Sequence, residues 1–279
     1  VGLAVVGALL GAFVLALLWP TLPPLDALTD YQPKIPLRIV SADGDLLGEF
    51  GEESRAIIRI SEVPDVMKHA ILAAEDERFY QHGGVDYLSV LRAAAANVTS
   101  GTQQGAGTIT MQVARNFFLT REKTVSRKLR EVMLAWKIEA SLPKDEILEL
   151  YVNQIFLGQR AYGFAAASQT YFGKPLADVT VAEAAMLAGL PKAPSAYNPV
   201  TNPRRAKSRQ MYVLRRMHEL RYINDDELRE AQNAPLTARP VTREALAVHA
   251  EFVAEMARQV IYDAYGDEAY TRGITVWTT

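Results

Sequence analysis

The amino-acid sequence predicts an all-α domain, preceded by an apolar N-terminal helix and a linker with small β elements. Three observations predict it. From Ser61 to about residue 235 the apolar residues recur at the three-and-four spacing of helices. Residues 1–19, "VGLAVVGALLGAFVLALLW", carry no charge. Between these two regions lie prolines and short alternating stretches.

The apolar run, at about 1.5 Å per residue, is roughly 28 Å long, close to the thickness of bilayer hydrocarbon. It predicts a transmembrane anchor over residues 1–20, with Trp19 and Pro20 ending it at the interface. A signal peptide would end in small residues at a cleavage site, and "WPTLPPLDALTD" offers none. The linker, 21–60, begins with a stiff stretch holding Pro23, Pro24, Pro33 and Pro36. "LRIVSADGDLLGEF" (37–50) alternates around Asp43-Gly44, a hairpin signal, and "RAIIRI" (55–60) reads as a third short strand. Helices are predicted over 65–75, 86–99, 107–117, 124–141, 144–153, 162–171, 181–189, 203–221, 225–232 and 246–265. Ser61 with Pro64, and Asp145 after Pro143, are start signals. "RGITVWTT" (272–279) reads as a strand again.

Composition narrows the partners. A formal net charge of −2 gives no reason to expect nucleic acid. The absence of cysteine excludes disulfides and thiolate metal sites.

Three stretches carry chemistry. In "AAEDERFYQHGG" a carboxylate, Glu75, is followed by Phe79 and His82 at four and seven residues, one face of a continued helix. A carboxylate beside aromatic surface is partly desolvated, which suits a general base. The plain alternatives are a solvated helix-end carboxylate for Glu75 and, favoured for His82, a structural histidine that orients its neighbours. In "QQGAGTITMQVARN" Gly105 and Gly107 open a helix whose first turn holds Thr108 and Thr110, an arrangement that presents backbone N–H groups to an anion. The alternative is an ordinary glycine loop with threonine caps. In "TVSRKLREVML" Arg127 and Lys128 precede Glu131 by four and three residues, so the three heads can share a face. They make either surface ion pairs or a cationic clamp on a phosphate. Phe117, Phe118 and Leu119 are core, or an apolar flap meeting lipid between Arg115, Arg121 and Lys123.

Together these stretches resemble the motifs of the peptidoglycan glycosyltransferases of class A penicillin-binding proteins. The matches run in order: "EDERFYQHGG" from 75, "GAGTITMQ" from 105, "RKLRE" from 127, "KDEILELYVN" from 144 and "GLPKAPSAYNPVTNPRRAKSRQ" from 189. They cover about residues 61–232, and five in order are highly specific. Gly107 stands where that family commonly has Ser, and Met111 where it commonly has Gln.

The resemblance implies a lysozyme-like, two-lobed glycosyltransferase domain over 61–235. It also implies that residues 236–279 begin a linker to a transpeptidase domain, as in the bifunctional 1A-type proteins. Glu75 becomes the catalytic base, with Glu131 a second catalytic carboxylate. Asp76, Phe79, His82, Gly105, Thr108, Gln112, Arg115 and Asn116 fall on substrate-binding motif positions. Arg127, Lys128 and Lys192 would hold the donor pyrophosphate, and Glu131 would position them or a divalent cation such as Mg²⁺. The implied substrates are lipid II and a polyprenyl-pyrophosphate-linked glycan. The implied surroundings are the lipids of the bacterial inner membrane, crossed once, with the catalytic domain on the outer face and other cell-wall synthesis proteins as partners. Two other readings stand beside it: a lysozyme-like glycan hydrolase, which needs a glutamate but no pyrophosphate clamp, and a non-catalytic membrane scaffold.

Overall fold

Helix starts follow their caps. α1 (Asp65–Glu75) begins behind Pro64, whose carbonyl accepts from the N–H groups of Met67 and Lys68. In α2 (Tyr87–Ser100) Asp86 accepts from the N–H groups of Leu88 and Ser89 at 3.1 and 3.2 Å. Burial pushes the Asp86 carboxyl up, but hydrogen bonds from Ser89 and the Arg78 charge outweigh it and hold it below the usual carboxylate value. α3 (Ile109–Phe118) is capped by Thr108, α4 (Val125–Ser141) by Thr124, and α5 (Lys144–Gln154) starts after Pro143. α6 (Phe164–Phe172) ends at Gly173 in the left-handed conformation. α7 (Val181–Gly189) and α9 (Asp225–Asn233) carry capping boxes, Thr180 with Glu183 and Asn224 with Glu227. α8 (Pro203–Glu219) has proline in its first turn, where the missing N–H costs nothing. α10 (Glu251–Tyr265) follows.

This is a computed structural model that describes residues 2, 6, 9, 13, 15–29, 35–44, 46–51, 53–100, 107–119, 124–238 and 251–278. Most of the apolar run, Gly105, residues 120–123 and the start of the helix expected from 246 lie outside the described residues. Among the described residues no helix is long and apolar enough to cross a membrane.

The chain divides into two units. The first comprises Val1–Tyr31 and Glu75–Tyr151. Here α3 packs on α4, burying Met111 and Ala135 with Val85. Lys137 of α4 donates to the carbonyl of Pro23 at 2.9 Å, which ties the proline segment to that helix. Gly84 approaches α4 so closely that an added Cβ would stand 2.9 Å from the Ala135 carbonyl, and its φ is +87°. Gly84→Ala is therefore expected to lose about 1–3 kcal/mol of stability. A denaturation midpoint equal to that of the parent would show that no such constraint exists.

The second unit comprises Gln32–Ala74 and Val152–Thr279. The hairpin forms as the Asp43-Gly44 signal predicts: β1 (Leu37–Val40) pairs antiparallel with β2 (Leu46–Phe50), and Gly44 has φ +92°. The "RAIIRI" strand is confined to β3 (Ser54–Arg55), which pairs with β4 (Ala161–Tyr162), and Ile60 already starts a 3₁₀ turn. β5 (Thr275–Trp277) joins β1 in parallel, giving the order β2-β1-β5. Ala254 of α10 covers this sheet over Leu37, Ile39 and Leu47, so apolar alternation on the strands meets an apolar stripe on the helix. α7, α8 and α9 pack together, and buried Gln210 of α8 donates to the Ala182 carbonyl at 2.6 Å.

Candidate active site

Glu75 is the last residue of α1 and is half-buried. Gln112, in the first turns of α3, donates from Nε2 to Glu75 Oε2 at 2.7 Å. That contact fixes the carboxylate's direction across 37 residues of sequence.

Asp76 is the hub beside it. Its side chain is buried, and Oδ2 accepts from the Ile109 N–H at 3.1 Å, so it caps the start of α3 from a distant segment. His82 Nε2 lies 3.0 and 3.1 Å from the two Asp76 oxygens. A carboxylate accepts only, so Nε2 carries the proton; among the described residues the buried Nδ1 has no partner. This favours the structural reading of His82, a ring that holds Asp76 rather than a ligand.

Thr108 is equally occupied. Its hydroxyl donates to the Gly84 carbonyl at 2.6 Å and accepts from the Met111 N–H at 3.2 Å. The side chain thereby builds the start of α3. Phe79 is wholly buried, and its ring lies edge-on to His82. Arg115 is half-buried and Asn116 exposed on the same helix.

Arg127, Lys128 and Glu131, the residues expected to meet a phosphate, lie at the start of α4. Lys128 Nζ donates to Glu131 Oε1 at 3.2 Å; the Lys128 side chain is 52 % exposed and that of Glu131 only 2 %. A carboxylate this buried leans on its cation, and removing the cation would leave an uncompensated charge. Arg127 is half-buried, and among the described residues its buried Nε has no hydrogen-bond partner. An orphaned guanidinium N–H is a costly feature unless an anion completes it. Glu131 stands one turn before Ala135, on the face of α4 that meets α3. The helix bearing Gln112 therefore packs on the helix bearing Arg127, Lys128 and Glu131. Arg130 is exposed. In the second unit, Lys192 is exposed in the turn after α7.

Sequence reasoning missed one cluster. Thr110 Oγ1 donates to Glu139 Oε1 at 2.6 Å, and Lys144 Nζ reaches the same oxygen at 2.7 Å. Lys144 also sits 4.3 Å from the centre of the Phe79 ring. Lys144 opens the "KDEILELYVN" stretch, but nothing in the sequence couples it to Glu139 or Thr110.

A family model described as transglycosylase matches residues 43–218, more than half of the chain. The chain belongs to the transglycosylase family. It is similar over its whole length to penicillin-binding protein 1A of Neisseria meningitidis serogroup A, with 54% identity over 279 residues. Over 93% of its length it is 50% identical to penicillin-binding protein 1A of Pseudomonas aeruginosa. The crystal structure of penicillin-binding protein 1A from Haemophilus influenzae superposes with a TM-score of 0.51 at 32% identity, covering 88% of this chain and 27% of that one. The chain spans about a third of the length of the curated relatives it matches.

As a transglycosylase chain it departs from the motif at Gly107 and Met111. Gly107 is exposed, and among the described residues nothing stands within 4 Å of an added Cβ, so these leave room for a serine. Met111 is 1% exposed in the apolar cluster with Val85 and Ala135, so this position faces core and its side chain is a packing choice.

Proposed function

We propose that this transglycosylase chain polymerises lipid II into glycan strands as a peptidoglycan glycosyltransferase. The observation that carries the proposal is a half-buried Glu75 oriented by Gln112, from a helix packed on the one that bears Arg127, Lys128 and Glu131. Glu75 takes the proton from the acceptor sugar's 4-hydroxyl as that oxygen attacks the donor's anomeric carbon. The C–O bond to the lipid pyrophosphate breaks, and the anomeric centre inverts. The bonding pair leaves with that oxygen, so the departing pyrophosphate gains one negative charge, which Arg127 and Lys128 meet with charge-assisted hydrogen bonds. The resemblance adds Lys192 to the same task, and Arg115 and Asn116 to the donor.

Among the described residues no three acidic or histidine side chains gather as a metal site. The resemblance brings Mg²⁺ into the proposal, and Glu131 would be the residue to hold it, beside the substrate's phosphates. The ion would supply charge neutralisation, and no step above depends on it.

A lysozyme-like, two-lobed fold and a single-pass anchor at residues 1–20 belong to the same proposal. The anchor would place the domain on the outer face of the bacterial inner membrane, among other cell-wall synthesis proteins. The substrate's polyprenyl tail stays in lipid, since exposing it costs about 0.8 kcal/mol per CH₂. Half-buried Phe117, Phe118 and Leu119 end α3, the helix that carries Gln112.

The purified protein is expected to consume lipid II and release long glycan. Release of muropeptides from sacculi without lipid II consumption would instead identify a hydrolase, and neither activity would identify a scaffold.

A further inference from the structure

We infer that Lys144 is a positioning residue for the Glu75 base, acting through Glu139, Thr110 and Phe79. The inference rests on the glycosyltransferase reading for its kinetic consequences, though not for its geometry.

Lys144 opens α5 and its side chain is 20 % exposed; that of Glu139 is 10 % exposed. One oxygen, Glu139 Oε1, gathers the Lys144 ammonium from α5 and the Thr110 hydroxyl from α3. The same ammonium lies over the ring of fully buried Phe79, within cation–π range. The next residue, Asp145, accepts from the Tyr80 hydroxyl at 2.9 Å. The first two residues of α5 thus hold Phe79 and Tyr80, two of the three residues of the 3₁₀ turn (Phe79–Gln81) that follows Glu75 and Asp76.

The other end of this arrangement is α3. Its first turn is fixed at two points, the Ile109 N–H on Asp76 and the Thr110 hydroxyl on Glu139. Gln112 projects from that turn onto Glu75. If the ammonium is removed, Glu139 becomes a nearly buried carboxylate whose remaining partner here is a neutral hydroxyl. Such a group turns toward water, and Thr110 loses its anchor. Gln112 then no longer fixes the direction of Glu75. A misplacement of about 1 Å at a reacting group costs up to about 10²-fold in rate. A merely structural ion pair would lower stability and leave turnover by the folded protein unchanged.

The test is steady-state kinetics on lipid II with Lys144→Met, Lys144→Arg, Gln112→Leu and the double variant Lys144→Met/Gln112→Leu. Lys144→Met is expected to lower kcat about 10-fold or more with KM within about 2-fold, because orientation and not binding is lost. Lys144→Arg is expected to stay within about 3-fold of the parent, since a guanidinium keeps both the ion pair and the ring contact. The double variant is expected to be no slower than the slower single one, as for two residues acting on one contact. A rise in KM alone, or losses that multiply, overturns the inference. The side-chain amide NMR signal that vanishes in Gln112→Leu gives a second, activity-independent readout. It should move in Lys144→Met and return in Lys144→Arg, and an unmoved signal overturns the inference even if the protein never polymerises lipid II. Should Lys144→Met fail to fold, Thr110→Val replaces it in every arm with the same outcomes.

Discussion

Replacing Glu75 with glutamine is expected to reduce lipid II polymerisation about 10²–10⁴-fold, the usual worth of a general base. The amide has no basic oxygen to take the acceptor's proton. The fold should survive, because Glu75 ends its helix, is only half-buried, and a glutamine carbonyl can still accept from Gln112. Equal melting temperatures with near-absent turnover would assign the base. Turnover close to that of the parent would remove Glu75 from the mechanism and leave Glu131 as the carboxylate to test next. Glu131 is a poor base as placed, since it is buried and already bound to Lys128.

Arg127→Ala is expected to weaken binding of a polyprenyl pyrophosphate about 10–10²-fold, which corresponds to losing about 1.5–3 kcal/mol from a charge-assisted hydrogen bond. The prediction follows from the buried Nε, unpartnered among the described residues, a donor already desolvated before any ligand arrives. Lys128→Ala should lose less affinity through its own contact, since its side chain is half exposed. It carries a second cost, because Glu131 keeps its burial and loses its cation. Arg130→Ala, on an exposed residue, should be mildest. Equal losses from all three substitutions, measured by titration with the pyrophosphate, would show a diffuse basic surface instead of a clamp.

Much of the helical order was legible in the residues. From Asp65 to Asn233 the expected helices fall within about two residues of the observed ones, because apolar period and capping residues agree at each start. The "RAIIRI" segment was misread because two isoleucines in a row mimic a strand; Ile57 is exposed and has no strand partner in the hairpin. Long-range pairing was not legible. Nothing local in "LRIV" or "TVW" says that β1 and β5 lie side by side, since strand register is set by partners and not by composition. At the candidate site the residue types were legible and the contacts were not. Glu75 and Gln112 were both identified, but the hydrogen bond between them spans 37 residues. Thr110 read as a first-turn residue and Lys144 as the start of the "KDEILELYVN" stretch, while nothing singled out Glu139. Only their convergence on one oxygen gives them a shared role.

The parallel pairing of β1 with β5 has a consequence for the order in which the protein can be made. Val40 leaves the ribosome roughly 240 residues before Trp277, its partner in the sheet. At the usual 5–20 residues per second, β1 waits about 10–50 s with one edge unpaired. During that interval Leu37, Ile39 and Leu47 also lack Ala254, the helix residue that later covers them. An open strand edge above an uncovered apolar face is the form most prone to pair with a neighbouring nascent chain. The hairpin turn at Gly44 lets β2 occupy the other edge within a few residues, which halves the exposure from the outset. The remaining edge closes only when nearly all of the described chain exists, so a chain interrupted before residue 275 keeps it open for as long as it persists.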